Sequence, residues 1–291
     1  MADLRKEVWV NQLTKNFYPD SAFLKYAKDF SALVENDAIN MTDVGVDPDV
    51  LINNTTYPIE IKQRTDANIR IELNLFETEN TIVRNPDAIE YSYNKLENVI
   101  MGHRNILRSR TAEMAAHAYA PAADDVFTPV LTTSGESFNG RKRLTIEDIL
   151  YLKERYDAFD CPLESRYLVL HPSHLSDLIL LDVKAFKDIA DLQNGLPNRL
   201  AGFNILQFSK PAIYDFITKA KKSFGALATE TDVFSSFSFH GDEVMKADGT
   251  VGMYKRIDDP ELRGTVVGFD KRFIGVPIRN KALGAILSTK V

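Results

Sequence analysis

YPIEIKQRTDANIRIELNLFE at 57–77, followed by NPDAIEYSYNKLENVIMGHRNILRSRTAEMAAHAY at 85–119, decides how this chain folds. In the first stretch Ile59 and Ile61 alternate with Glu60 and Lys62, and Ile69, Ile71, Leu73 and Leu75 alternate with Arg70, Glu72 and Asn74. A period of two with apolar and polar faces predicts a long β-hairpin with arms 57–65 and 68–77. A two-stranded ribbon of that length has too little buried surface to be stable alone in water, so it is expected to lie on something else.

The second stretch predicts one very long helix over 86–119. Asn85 is a candidate cap, Pro86 suits the first turn, and Asp87 and Glu90 favour the positive end of the helix dipole. Ile89, Tyr93, Leu96, Ile100, His103 and Leu107 follow helical spacing on one face, which Met114 and Ala118 extend. At 1.5 Å per residue such a helix is about 50 Å long, well beyond the globular norm.

Outward from this pair the chain reads as an arm, a turn-rich lead-in and a mixed remainder. Val8, Trp9, Leu13, Phe17, Phe23, Leu24 and Phe30 are scattered through the polar N-terminal segment, and 43–56 is rich in turn residues. After a loop at 120–143, Thr145 and Asp148 form a capping-box signature ahead of IEDILYLKERYDAF. A buried strand RYLVLHP is expected next, then a helix capped by Ser173, a strand FNILQF, and a closing series of short strands and turns with a turn at Lys246–Thr250. The order implies an α+β protein and not a βαβ repeat.

Composition bounds the function. With 291 residues, 44% hydrophobic, the chain can build a sizeable core. No apolar run reaches membrane-spanning length and no signal peptide is visible, so a soluble protein that stays where it is made is expected. A single cysteine, Cys161, excludes an internal disulfide and a multi-cysteine metal site, which suits a reducing compartment. Sequons at Asn40 and Asn53 therefore carry no weight. A net charge of −6 argues against nucleic-acid gripping as the main task, although Arg104, Arg108 and Arg110 crowd the long helix and Arg141, Lys142 and Arg143 form a short run. These read first as solvated or ion-paired faces.

Catalytic signatures are weak. His171 and His174 stand three apart at a strand end, but nothing nearby completes four metal ligands. Ser134-Gly135-Glu136-Ser137 lacks the nucleophile-elbow spacing, and there is no phosphate-cradling glycine loop. Cys161 beside Pro162 has no activating neighbour in sequence. No catalytic residue, metal or cofactor is expected.

Three further segments carry a resemblance. GLPNRLAGFNILQFSKPA at 195–212 places Gly202, Phe203, Ile205 and Ser209 in a glycine loop, Gly-Phe and alternating strand. RYLVLHPSHLSDLILLD at 166–182 is a strand plus helix, and 237–286 carries Phe239, His240, Gly264, Arg272 and Arg279 in a closing section. In this spelling and order the chain resembles the major capsid proteins of tailed bacteriophages.

That resemblance implies an N-terminal arm at 1–42, an extended hairpin loop at 43–84, a peripheral domain with its spine helix at 85–143, an axial domain at 144–235, and closing strands at 236–291. It implies a non-enzymatic subunit that self-assembles as hexamers and pentamers into an icosahedral virion shell around double-stranded DNA. Assembly in the bacterial cytoplasm with a separate scaffolding protein and a portal is implied as well. Trp9, Phe17, Ile59, Ile61, Lys62, Arg64, Ile69, Arg70, Glu72 and Leu75 would then be subunit-interface residues, and Arg104, Arg108 and Arg110 would face DNA. Lys62 occupies the position of the cross-linking lysine of some members, but charged pairing is its plainer use and no sequence feature marks the Asn and Glu that a cross-link requires. An encapsulin-type nanocompartment shares the fold and is the alternative; an unrelated enzyme using His171 and His174 is the third reading.

Overall fold

The structure, a computed structural model, describes residues 22–43, 67–181, 190–191, 196–197 and 199–290. Its elements are strands β1 (Ala38–Asp43), β2 (Ala67–Glu72), β3 (Asn74–Glu77) and β4 (Thr81–Arg84), then the helix α1 (Asn85–Tyr119). They continue with β5 (Val130–Thr132), α2 (Ile146–Ala158), β6 (Arg166–Leu170), α3 (Pro172–Leu181), β7 (Phe203–Gln207) and β8 (Ile213–Asp215). The chain closes with β9 (Asp232–His240), β10 (Val244–Asp259), β11 (Gly264–Pro277) and β12 (Leu283–Leu287).

A mixed sheet runs β7-β6-β9-β12-β5, with β8 on the outer end of β9. Side chains alternate across it. Val169, Phe237, Phe239, Leu283, Ala285 and Leu287 enter one core with Phe23, Ala112, Ala116 and Tyr119. Leu168, Leu170, Phe203 and Ile286 enter the other with Ile149, Leu152, Tyr156, Leu175 and Leu178. The end of α1 and the segment 22–27 therefore cover one face, and α2 and α3 cover the other. Gly275 of β11 lets α1 approach closely: a Cβ there would stand 2.8 Å from the Cβ of Ala115. The Tyr119 hydroxyl donates to the Met245 carbonyl at 2.9 Å, so this buried phenol is satisfied.

The capping box of α2 forms as expected, with Thr145 and Asp148 bonding reciprocally. Helix α1 spans 35 residues and starts at Asn85. Arg84 holds the cap position without a side-chain bond, so Asn85 is the first helical residue and not the cap. Helix α3 begins at Pro172, and Nδ1 of His171 accepts from the Ser173 amide at 3.3 Å, so the imidazole takes the capping role expected of Ser173.

Strands β10 and β11 form one long antiparallel hairpin whose turn lies between Asp259 and Gly264. The Lys246–Thr250 segment is no turn; it lies inside β10 with a register shift between Asp248 and Val251. A Cβ on Gly249 would lie 2.8 Å from Leu73 Cδ2 and 2.9 Å from Arg272 Cβ, which explains why glycine occupies this bulge.

The hairpin region gains a pairing with no counterpart in the sequence reading. The partner of β2 among the described residues is β1, in the register Ala38↔Glu72 to Asp43↔Ala67. The expected first arm, 57–65, lies outside the described residues. Strand pairing thus starts within the segment read as an arm, where Ile39 and Met41 already alternate with Asn40 and Thr42.

Candidate assembly surfaces

The base of the β1–β2 ribbon is fixed to its own subunit. Ile39 and Leu73 are buried against Met245, Ala247 and Ile274, with Ile71 packed beside them. The Leu73 amide donates to the Asp37 carbonyl at 2.9 Å, and Arg272 pairs with Asp37 at 3.1 Å. At Leu73 the alternation changes phase: Leu75 is exposed and Phe76 turns inward toward Phe273. The cause is the break between β2 and β3, after which β3 pairs with β11 instead of β1. Arg70 and Glu72 remain outward and exposed, 3.7 Å apart. Ile69 stands opposite Met41 in register. Trp9, Phe17, Ile59, Ile61, Lys62 and Arg64 lie outside the described residues.

The three helix arginines are not alike. Arg104 is half-buried, with Nη1 on Met101 Sδ at 3.4 Å. Arg108 is half-buried and engaged. Arg110 is exposed and pairs with Glu113 at 3.0 Å. Glu113 also holds Lys210 at 2.6 Å and accepts from Ser109, and these partners keep its carboxyl below the ordinary range despite burial, which pushes the other way. Arg141, from the basic run, forks onto Asp177 at 2.6 and 2.9 Å.

The histidine pair carries no reactive geometry. His174 is fully buried, with Nδ1 on Ser236 Oγ at 2.7 Å and Nε2 on Ser288 Oγ at 2.8 Å. Burial drives its pKa down to about 3, so the ring is neutral at ordinary pH. His171 stacks on Phe234 at 5.1 Å and caps α3. Cys161 is buried, and burial raises its pKa, the opposite of an activated thiol. Beside it lies an open recess of about 480 Å³ lined in part by two ion pairs, Lys28 with Asp242 at 3.2 Å and Arg279 with Glu243 at 2.6 Å. Among the described residues no His, Cys, Asp or Glu cluster suits a metal, and no helix is long and apolar enough to cross a membrane.

What the surface does offer is apolar. Leu150 and Tyr151 on α2 are each 50% exposed, Leu180 on α3 is 62% exposed, and the 216–231 loop presents Ile217 at 75% and Leu227 at 89%. At the β10–β11 turn Ile257 and Leu262 are also exposed. Sequence reading missed these because a single apolar residue in a Lys-rich loop gives no periodic signal. Of these, Leu150 and Tyr151 are adjacent on one helix, and the others stand on other elements.

No known sequence family and no curated protein matches the chain. Solved structures do match along nearly its full length. The capsid of cyanophage P-SCSP1u is similar with a TM-score of 0.66 and 15% identity, over 91% of this chain and 87% of that one. A structure from Mycobacterium phage Che8 gives 0.64 and 12%, over 91% and 90%. The chain has the tailed-phage capsid fold. A virus-like particle from Pyrococcus furiosus is similar as well, with a TM-score of 0.58 and 10% identity over 97% of this chain and 99% of that one.

Proposed function

We propose that this chain is the major capsid protein of a tailed bacteriophage, a structural and non-catalytic subunit that self-assembles into an icosahedral head around double-stranded DNA. The observation that carries the reading is the match of capsid folds over nine-tenths of the chain. The exposed apolar groups on α2, α3 and the 216–231 loop support it, since a shell covers them by assembly.

On this reading the ribbon beyond Asp43 and Ala67 extends over a neighbouring subunit, with Arg70, Glu72 and Leu75 at its root and Lys62 pairing by charge. Arg104, Arg108 and Arg110 are the helix cations offered to DNA, with Arg110 the most open of them. The division into arm, hairpin loop, peripheral and axial domains belongs to the same proposal, as do hexamer and pentamer capsomers, a separate scaffolding protein, a portal, and assembly in the host cytoplasm. Sedimentation of the purified chain at several salt concentrations, with and without its scaffolding partner, tests it. Fast-sedimenting shells or rings are expected, and a strict monomer under all conditions would defeat it.

The similarity to the Pyrococcus furiosus particle favours a second reading, a nanocompartment shell. Contents separate the two: nuclease-protected DNA inside purified particles belongs to the first and a packed enzyme to the second. Neighbouring terminase and portal genes would likewise select the first.

A further inference from the structure

We infer that neighbouring copies of this chain join through a heterologous contact in which the 216–231 loop of one copy seats on the outer face of α2 of the next; this rests on the shell reading above. The two surfaces lie on opposite sides of one sheet. The root of the loop, Tyr214, Phe216 and Val233, packs into the core that contains Tyr119 and Phe237. Helix α2 packs into the other core through Ile149, Leu152 and Tyr156. One copy therefore offers a different surface to each side, the arrangement that closes into rings when repeated by rotation.

The loop is built to hold its shape without a partner. The Phe216 amide donates to the Thr231 carbonyl at 3.0 Å, the Lys222 amide to Ile213 at 3.0 Å, and the Lys221 amide to Ala122 at 3.0 Å. Lys222 pairs with the buried Asp232 at 2.5 Å. The Lys221 ammonium donates to the carbonyls of His117 and Ala120 at 2.9 and 2.6 Å, closing the C-terminal end of α1. A loop this heavily bonded still leaves Ile217 and Leu227 in solvent, and docking it costs little ordering entropy. Between them in the chain Lys219 is exposed and has no carboxylate partner among the described residues.

The outer face of α2 is its complement. Glu147, Leu150, Tyr151 and Glu154 fall at positions i, i+3, i+4 and i+7, and all four are exposed, so two carboxylates bracket an apolar and an aromatic group. Neither glutamate has a cationic partner among the described residues; the ion pairs of α2 use Lys153, Arg155 and Asp157 instead. The Ile217 end of the loop, with Lys219 two residues on, matches the helical stripe and its two glutamates in polarity and charge, while the loop's exposed carboxylate, Glu230, stands at its far end beyond Leu227.

Charge exchange tests the contact. Lys219→Glu alone, and Glu147→Lys with Glu154→Lys, are each expected to lower the assembled fraction about ten-fold at low salt by placing like charges together. Their thermal melts should stay close to the parent value, since every changed side chain is exposed and only Glu147→Lys gives up a favourable charge, the first-turn carboxylate of α2. The chain carrying all three changes is expected to assemble within about two-fold of the parent, because the pairing is restored with signs reversed. Single variants that assemble like the parent would overturn the contact, and so would a triple variant no better than the singles. A parent chain that never assembles would defeat the shell reading itself, a separate outcome.

Discussion

The two-faced central layer and the peripheral ribbon use their polar groups in opposite ways. In the layer, buried polar side chains meet each other: Ser236 and Ser288 hold His174, Ser238 meets the Tyr156 hydroxyl at 2.8 Å, and Arg166, almost fully buried, reaches Asp157 at 2.7 Å and the Pro162 carbonyl at 2.8 Å. In the ribbon, Arg70 and Glu72 face solvent and Leu75 is exposed on the adjoining strand. The first region carries its own stability. The second is held, in its described part, by Ile39 and Leu73 against Met245, Ala247 and Ile274, and its completion by a second chain belongs to the proposal.

The largest single effect of that contrast is acid loss of the layer. His174 has a pKa of about 3 when folded against 6.5 when free, so the unfolded chain takes up a proton the native chain refuses. The stability from this site is present in full above pH 6.5 and falls as pH drops toward 3, by on the order of 5 kcal/mol. Urea melts of the parent and of His174→Gln between pH 7 and 4 check it, and the variant should show the shallower decline. Next is Phe237→Ala, which opens a void beside Phe23 and Phe239 and is expected to lower unfolding free energy by about 4 kcal/mol in denaturant titration.

Gly275→Ala ranks third. Its new methyl meets Ala115 at 2.8 Å and forces α1 from β11, costing about 2 kcal/mol by the same titration. Smallest in stability is Arg70→Ala: its partner Glu72 and Arg70 itself are both largely exposed, so the melting curve should move by less than about 0.5 kcal/mol. Sedimentation should nonetheless show weaker assembly for this variant, and the split between the two readouts is what distinguishes ribbon from layer.

Local signals in the sequence were read well, and non-local ones were not. Thr145 and Asp148 stand three apart and specify the start of α2 by themselves. The length of α1 is legible in Pro86 and in the helically spaced apolar stripe from Ile89 to Ala118. Strand partners depend instead on distant residues. The pairing of 38–43 with 67–72 has no local signal in the sequence, and the shared burial of Ile39 and Leu73 on β10–β11 is what fixes it.

The same limit explains His171 and His174. Their spacing invites a metal reading, but the groups that satisfy His174 come from Ser236 and Ser288, 62 and 114 residues away. The exposed face of α2 was hidden for a different reason: Leu150 and Tyr151 look like core residues until Ile149, Leu152 and Tyr156 are seen to fill the interior.

Negative-stain electron microscopy of the purified chain, alone and with its scaffolding partner, tests the shell assignment most directly. Closed shells, or five- and six-membered rings, are the predicted result, and their diameter would begin to fix the lattice. A field of isolated monomers in both samples would contradict it and leave the exposed apolar surface of α2 and the 216–231 loop without an explanation.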